Sequence, residues 1–178
     1  SDFALSVTSA TTDKEIYATL ATNLPIIIES DRSSVTLLTE DQLKLEVFAL
    51  CGSDGALPIG KFFPVENTLI AVSLFSNKLN HTIITQQHTE YDAQQLLAQG
   101  IKTCINSPIV FGERAIGTIN IGSFQADAYN DDTLKLFSLI TDLVSTYLER
   151  QHLLKQAQIG VKQYKTYSKQ LEQLNHIT

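Results

Sequence analysis

The sequence contains no methionine. That is what a segment cut from a longer protein would show. Cysteine is scarce as well, with only Cys51 and Cys104, far apart along the chain. A secreted disulfide scaffold would be denser, so both are read as free thiols in a reducing compartment, and the expected location is cytoplasmic. Basic runs are missing and the net charge is −6. An electrostatic grip on nucleic acid needs clustered Lys and Arg, so nucleic acid is not an expected partner. No stretch approaches ~18 continuous apolar residues, and no charged-then-apolar leader opens the chain, so neither a membrane span nor a signal peptide is expected. Internal repeats and low-complexity tracts are absent too. The one glycine-rich phrase, Gly52-Ser53-Asp54-Gly55, lacks the lysine and the following helix of a phosphate loop.

What is present fits one domain. The chain has 178 residues, 43% of them hydrophobic and 18% charged, enough to bury a core. Residues 1–11 show no period and are expected to be flexible. Thr12-Asp13-Lys14-Glu15 reads as a capping box, followed by Ile16, Leu20, Leu24 and Ile27 at helical spacing, with Pro25 expected to bend or end the helix. Residues 33–39 and 43–50 read as a hairpin of two strands around Glu40-Asp41-Gln42. Residues 60–65 read as an edge strand, because Pro64 has no N–H for a ladder. A short helix over 68–77, a strand over 81–85 and a helix over 89–99, capped by Thr89 and stopped by Gly100, follow. Residues 103–111 and 115–123 form a second hairpin, and the order is α+β.

The last segment is the most regular. Asn130 is a good N-cap, and Asp131 and Asp132 place negative charge at the helix start. Ile140, Leu143, Tyr147, Leu154, Ala157, Val161, Tyr164 and Leu171 then recur at spacings of three and four, with Arg150 and Ser168 at the polar breaks. That is a coiled-coil seam, so the expected partner is a second copy of the chain. Leu174 and Ile177 keep the helical step to Thr178, so the tail is expected to continue as a linker. The expected division is 1–11, a domain over 12–155, and a linker helix over 156–178.

Three phrases, in this order, carry a family resemblance: DRSSVTLLTEDQLKLEVFAL (31–50), SPIVFGERAIGTINIGS (107–123) and AYNDDTLKLFSLITDLVSTYLE (128–149). Together the chain resembles a GAF domain, the small-molecule sensory module of many signalling proteins. The resemblance implies a profilin-like, six-stranded antiparallel sheet. Terminal helices would pack on one face and often dimerise; a ligand pocket would lie on the other, under short helices and loops. Strand alternation then assigns faces. Ile119 and Ile121 go under the helices, while Ile116, Thr118, Asn120, Cys104, Asn106, Phe48 and Leu50 go to the pocket. Phe62, Phe63, Leu69, Leu74 and Tyr91 would form the roof.

The resemblance also brings expectations about ligands and output. Cyclic-nucleotide members carry Asn-Lys, Phe and Asp-Glu after the last strand; here GSFQADAYNDD (122–132) lacks the Asn-Lys pair, so that ligand is not expected. Neither Cys51-Gly52 nor Cys104-Ile105 fits a bilin attachment. His81 and His88, seven apart, have no metal or haem spacing and are read as exposed loop histidines. Free methionine sulfoxide reductases share the fold, and Cys104 lies near their thiol position, but no carboxylate stands on the closing strand. Cys104 is therefore read as a small buried hydrophobe. The expected function is a sensory domain signalling through its last helix to a kinase, cyclase, diguanylate cyclase or transcription-activating output. The rivals are a ligand-free dimerisation scaffold and, behind it, a free methionine sulfoxide reductase using Cys104.

Overall fold

The computed structural model describes residues 13–177. The expectations of a flexible segment over 1–11 and of a cap at Thr12 fall outside the described residues. The elements are α1 (Asp13–Ile27), β1 (Arg32–Leu38), β2 (Lys44–Gly52), β3 (Phe62–Pro64), α2 (Leu69–Ser76), β4 (Asn80–Ile83), α3 (Tyr91–Ala98), β5 (Thr103–Phe111), β6 (Arg114–Ser123) and α4 (Asp131–Ile177). The six strands make one sheet in the order β3-β2-β1-β6-β5-β4, and every pairing is antiparallel. Pro64 stands on the β3 edge, where its missing N–H interrupts no inner ladder.

Helix signals explain the ends. Thr68 accepts from Ala71 N and caps α2, and Asn77 leaves that helix in the left-handed region at φ 54. Gly100, at φ +87, ends α3, where a side chain would be strained. The α3 cap is Glu90, with no side-chain bond; Thr89 does not serve. Asn130 Oδ1 accepts from Thr133 N at the start of α4. Pro25 sits inside α1 without ending it. It falls in the last turn, so only one N–H bond is forfeited, and Ile28 N still reaches Leu24 O at 2.9 Å.

The two sheet faces carry separate cores. On one, Ile16, Leu20 and Leu24 of α1 and Phe137, Ile140 and Val144 of α4 pack over Val35, Ile105, Ile119 and Ile121. On the other, Leu57, Phe63, Leu69, Ile70, Leu74 and Leu96 roof Leu45, Val47 and Cys104. Helix α4 buries Phe137, Ile140, Thr141, Val144, Ser145 and Leu148, a single stripe at helical spacing. Fully burying Phe137 is worth about 2–3 kcal/mol. Among the described residues, no helix is long and apolar enough to cross a membrane.

Candidate ligand site

Alternation along β1, β5 and β6 brings a set of polar side chains to the roofed face. The register sets Thr36 opposite Thr118, Ser34 opposite Asn120, and Asn106 opposite Asn120. All five are buried. Gly117 lets β6 approach β1 here, since a Cβ at that position would lie 2.2 Å from Thr36 O. The side chains bond to one another. Asn120 Nδ2 donates to Ser34 Oγ at 3.2 Å and to Thr36 Oγ1 at 3.0 Å. Thr118 Oγ1 donates to Asn120 Oδ1 at 2.8 Å, as does Asn106 Nδ2. Because the Thr118 proton is committed to Asn120, the 2.6 Å contact between Thr36 and Thr118 is donated by Thr36. The hydrogen bonds therefore close a ring through Asn120, Thr36 and Thr118.

This ring decides which polar groups remain for a ligand. Asn120 uses both amide protons and accepts twice, so its capacity is filled. Asn106 keeps one amide proton, and its carbonyl receives only a weak Cys104 thiol contact at 4.0 Å. Ser34 accepts from Asn120 but has no acceptor for its own proton.

Beside them lies a cavity of about 20 Å³, which is room for about one water molecule. Arg32, Ser34, Thr36, Asn106, Asn120 and Cys104 line its polar side; Val47, Leu57, Phe63, Ile70 and Leu96 line its apolar side, with Asp92 among them. Asp92 is 1% exposed, and its carboxylate caps α2, accepting from Leu69 N at 2.8 Å and Ile70 N at 3.1 Å, as well as from Ala93 N. Burial raises its pKa, and the backbone bonds only partly oppose that. Arg32 is 6% exposed and donates to Ser53 O at 2.6 Å and Leu57 O at 2.8 Å. Burial pushes its pKa down to about 10, and Asp54 attracts it without forming an ion pair.

A family model for the GAF domain matches residues 24–149. The chain belongs to the GAF domain family. GAF domains are sensory and regulatory modules of signalling proteins. Solved GAF structures share the fold. The domain of a Bacillus halodurans two-component sensor histidine kinase is 23% identical, with TM-score 0.70, covering 82% of this chain and 99% of that one. That of a Coxiella burnetii phosphoenolpyruvate-protein phosphotransferase is 11% identical, with TM-score 0.73 and coverage of 88% and 92%. A phycocyanobilin-bound GAF domain from a cyanobacterial phytochrome is 16% identical, with TM-score 0.68 and coverage of 85% and 92%. No curated protein matches the sequence.

Within this GAF domain, Cys104, Asn106 and Asn120 line the cavity, and Thr118 sits directly behind them. Phe48 does not join them. Its ring packs edge-on against Tyr17 of α1, with centroids 5.4 Å apart, on the helix-covered face. The register shifts there, Val35 facing Ala49 but Thr36 facing Val47, so Phe48 is the extra residue of a bulge. Ile116 is the extra residue of a second bulge, between Ile109–Gly117 and Val110–Ala115, and it too goes to the helix side. Leu50, Leu69, Leu74 and Tyr91 stay on the roofed side without lining the cavity, and Tyr91 stacks on Phe63 at 5.7 Å. Phe62 points away, half exposed, because alternation on β3 turns only Phe63 inward.

Arg32, Ser34 and Asp92 were missed from the sequence. Arg32, Ser34 and Thr36 share one face of β1 at the two-residue period, which was the available signal; nothing local marks Asp92. His81 is not in a loop: it lies on β4, half-buried, with Nε2 3.0 Å from Thr103 Oγ1 and its ring against Tyr129. Burial lowers its pKa. His88 closes a turn on Thr85 N. Among the described residues, no three His, Cys, Asp or Glu side chains gather as a metal set. Burial pushes the Cys104 thiol well up, so its resting form is the protonated thiol.

Helix α4 divides the sequence-derived seam. Ile140 packs into its own domain and Tyr147 lies half-buried against it, in step with Phe137, Val144 and Leu148, so neither is free for a partner. Leu143, Leu154, Val161, Tyr164 and Leu171 are exposed, and Leu136, Leu139 and Leu174 extend that stripe. Lys155 Nζ reaches Asp13 Oδ1 of α1 at 3.0 Å.

Proposed function

We propose that this GAF domain senses a small molecule on the roofed face of its sheet and reports it through α4 to an output domain. The observation behind the reading is the shared floor of cavity and helix. Asn106 and Asn120 line the cavity, while their strand neighbours Ile105, Ile119 and Ile121 pack in the core that holds α4. A ligand that shifts β5 against β6 also shifts the bed of the helix, which lies on the opposite face of the same strands. The mechanism is a population shift between two seatings of α4. The exposed stripe Leu143, Leu154, Val161, Tyr164 and Leu171 supports pairing with a second copy, which would carry the shift onward. The output is a kinase, cyclase, diguanylate cyclase or transcription activator, in the cytoplasm. Bilin, haem, metal ion and cyclic nucleotide are not the proposed ligands: among the described residues no cysteine or metal set suits the first three, and the Asn-Lys pair of cyclic-nucleotide binders is missing from residues 122–132.

One observation favours a second reading, the ligand-free scaffold. The cavity has room for little more than a water as it stands, so a larger ligand requires the roof to move. Native mass spectrometry of protein purified from cells separates the two. A dimer carrying extra mass that is lost on denaturation supports the sensory reading. A bare dimer supports the scaffold, and a bare monomer contradicts the pairing of α4.

A further inference from the structure

The roofed cavity holds hydrogen-bond donors without acceptors. Arg32 has five N–H groups and makes two protein hydrogen bonds, both to carbonyls. The residue is 6% exposed, and no carboxylate among the described residues forms an ion pair with it. A buried charge is ordinarily paired, because desolvation without a counter-charge is costly. Two residues on, and on the same face of β1, the buried Ser34 hydroxyl proton also lacks an acceptor. Both line the cavity, and Asn106, across it, keeps an unused amide proton. The one carboxylate in the lining, Asp92, accepts from the backbone N–H groups of Leu69, Ile70 and Ala93 and forms no ion pair with Arg32, so a negatively charged acceptor is what this corner lacks.

Resting on the sensory reading above, we propose that Arg32 and Ser34 form an anion subsite, and that the ligand is a short monocarboxylate. Its two oxygens match the planar fork of the guanidinium. One cation lines the cavity, and burial favours the neutral form of Asp92 there, so a single negative charge is balanced while a doubly charged phosphate is disfavoured. Val47, Leu57 and Phe63 face the same space and, with the roof moved outward to enlarge it, suit a short aliphatic body; Asn106 meets a polar atom on it. The subsite also touches the roof. Arg32 holds the carbonyls of Ser53 and Leu57, in the loop after β2, so a carboxylate that draws on the guanidinium acts on that loop.

A bland role, a clasp for that loop alone, makes a different prediction, and thermal melts distinguish the two. Sodium acetate, propionate, butyrate and pyruvate are each titrated at fixed ionic strength against sodium chloride and sodium phosphate. The subsite gives a saturable rise in Tm with at least one monocarboxylate and none with phosphate. Arg32→Gln weakens that response by about tenfold to a hundredfold, the range for losing a charge-assisted hydrogen bond; Arg32→Lys retains part of it. An equal response in Arg32→Gln, or none to any carboxylate in the wild type, overturns the proposal. Should the variants fail to fold, the wild type suffices. The chain has three arginines, and Arg114 and Arg150 are exposed. In arginine-labelled protein, one protected Nε–Hε resonance shifting saturably with carboxylate supports the subsite, and an unmoved one overturns it. A retained ligand that proves uncharged in the mass spectrum overturns this assignment and leaves the sensory reading standing.

Discussion

Asn120 Oδ1 accepts a 2.8 Å hydrogen bond from Asn106 Nδ2 across the β5–β6 pair. Asn120 is the hub of the polar ring, with four hydrogen bonds; Asn106 is a spoke with capacity to spare. Replacing the hub strands more partners than replacing the spoke. Asn120→Leu should destabilise the domain by about 1–3 kcal/mol, and Asn106→Leu by less, since Thr118 still satisfies Asn120 Oδ1. The double variant should cost less than the two singles added, by roughly 0.5 kcal/mol or more. Urea unfolding measures all three, and the reverse ranking of the singles would refute the ring as drawn.

Cys104 should be inert in the folded protein. It is 2% exposed, and its thiol pKa is raised chiefly by burial. In a Cys51→Ser variant, a thiol reagent should modify Cys104 only as the domain opens, with a rate that follows stability across urea concentrations. Labelling as fast as in the unfolded chain would instead support a thiol reductase.

Asp92 gives a pH dependence of definite sign. Its folded-state pKa is raised above the unfolded value, so the native state binds the proton more tightly. The stability it contributes is fully present below the unfolded pKa and is lost as pH rises through the folded one. Acidification from neutral should therefore stabilise the wild type relative to Asp92→Asn, on top of a constant cost of about 1–3 kcal/mol for the impaired α2 cap. Urea midpoints from pH 7 downward test this; parallel curves for the two proteins would show that Asp92 does not titrate in that range.

The exposed stripe of α4 makes a separable prediction. Leu154 and Val161 are about half exposed and touch nothing in the roofed or helical cores. Leu154→Asp with Val161→Asp should convert a dimer into a monomer in sedimentation while changing the unfolding free energy of the isolated domain by no more than about 0.5 kcal/mol. Ile140→Asp, by contrast, should unfold the domain, because Ile140 lies in the core. A wild-type monomer, or a double variant that remains dimeric, would place pairing elsewhere or nowhere.

Much of this architecture was legible from local chemistry. Asn130 and Gly100 marked helix ends correctly because capping is a local act, although the expected Thr89 cap gave way to Glu90, and Pro64 marked a sheet edge because a missing N–H leaves few other places. Two-residue alternation put Thr118, Asn120, Asn106 and Cys104 on the roofed face. It failed at Phe48 and Ile116, where one extra residue restarts the alternation; neither carries a sequence mark of a bulge. Ile140 was misread because core stripe and partner stripe run at the same helical period, and only the packing of α4 on the sheet separates them. Asp92 was invisible for another reason. Its partners, Leu69 and Ile70, lie 23 and 22 residues away, and no short-range pattern records such a bond.

The central claim is that the cavity and α4 answer to one another. Hydrogen–deuterium exchange tests it most directly, on protein as purified from cells and on the same protein unfolded, dialysed free of small molecules and refolded. The account predicts that removing the ligand changes exchange in β5 and β6 and, in step with them, over residues 131–150 of α4. Changes confined to the strands, with α4 exchanging alike in both samples, would contradict it.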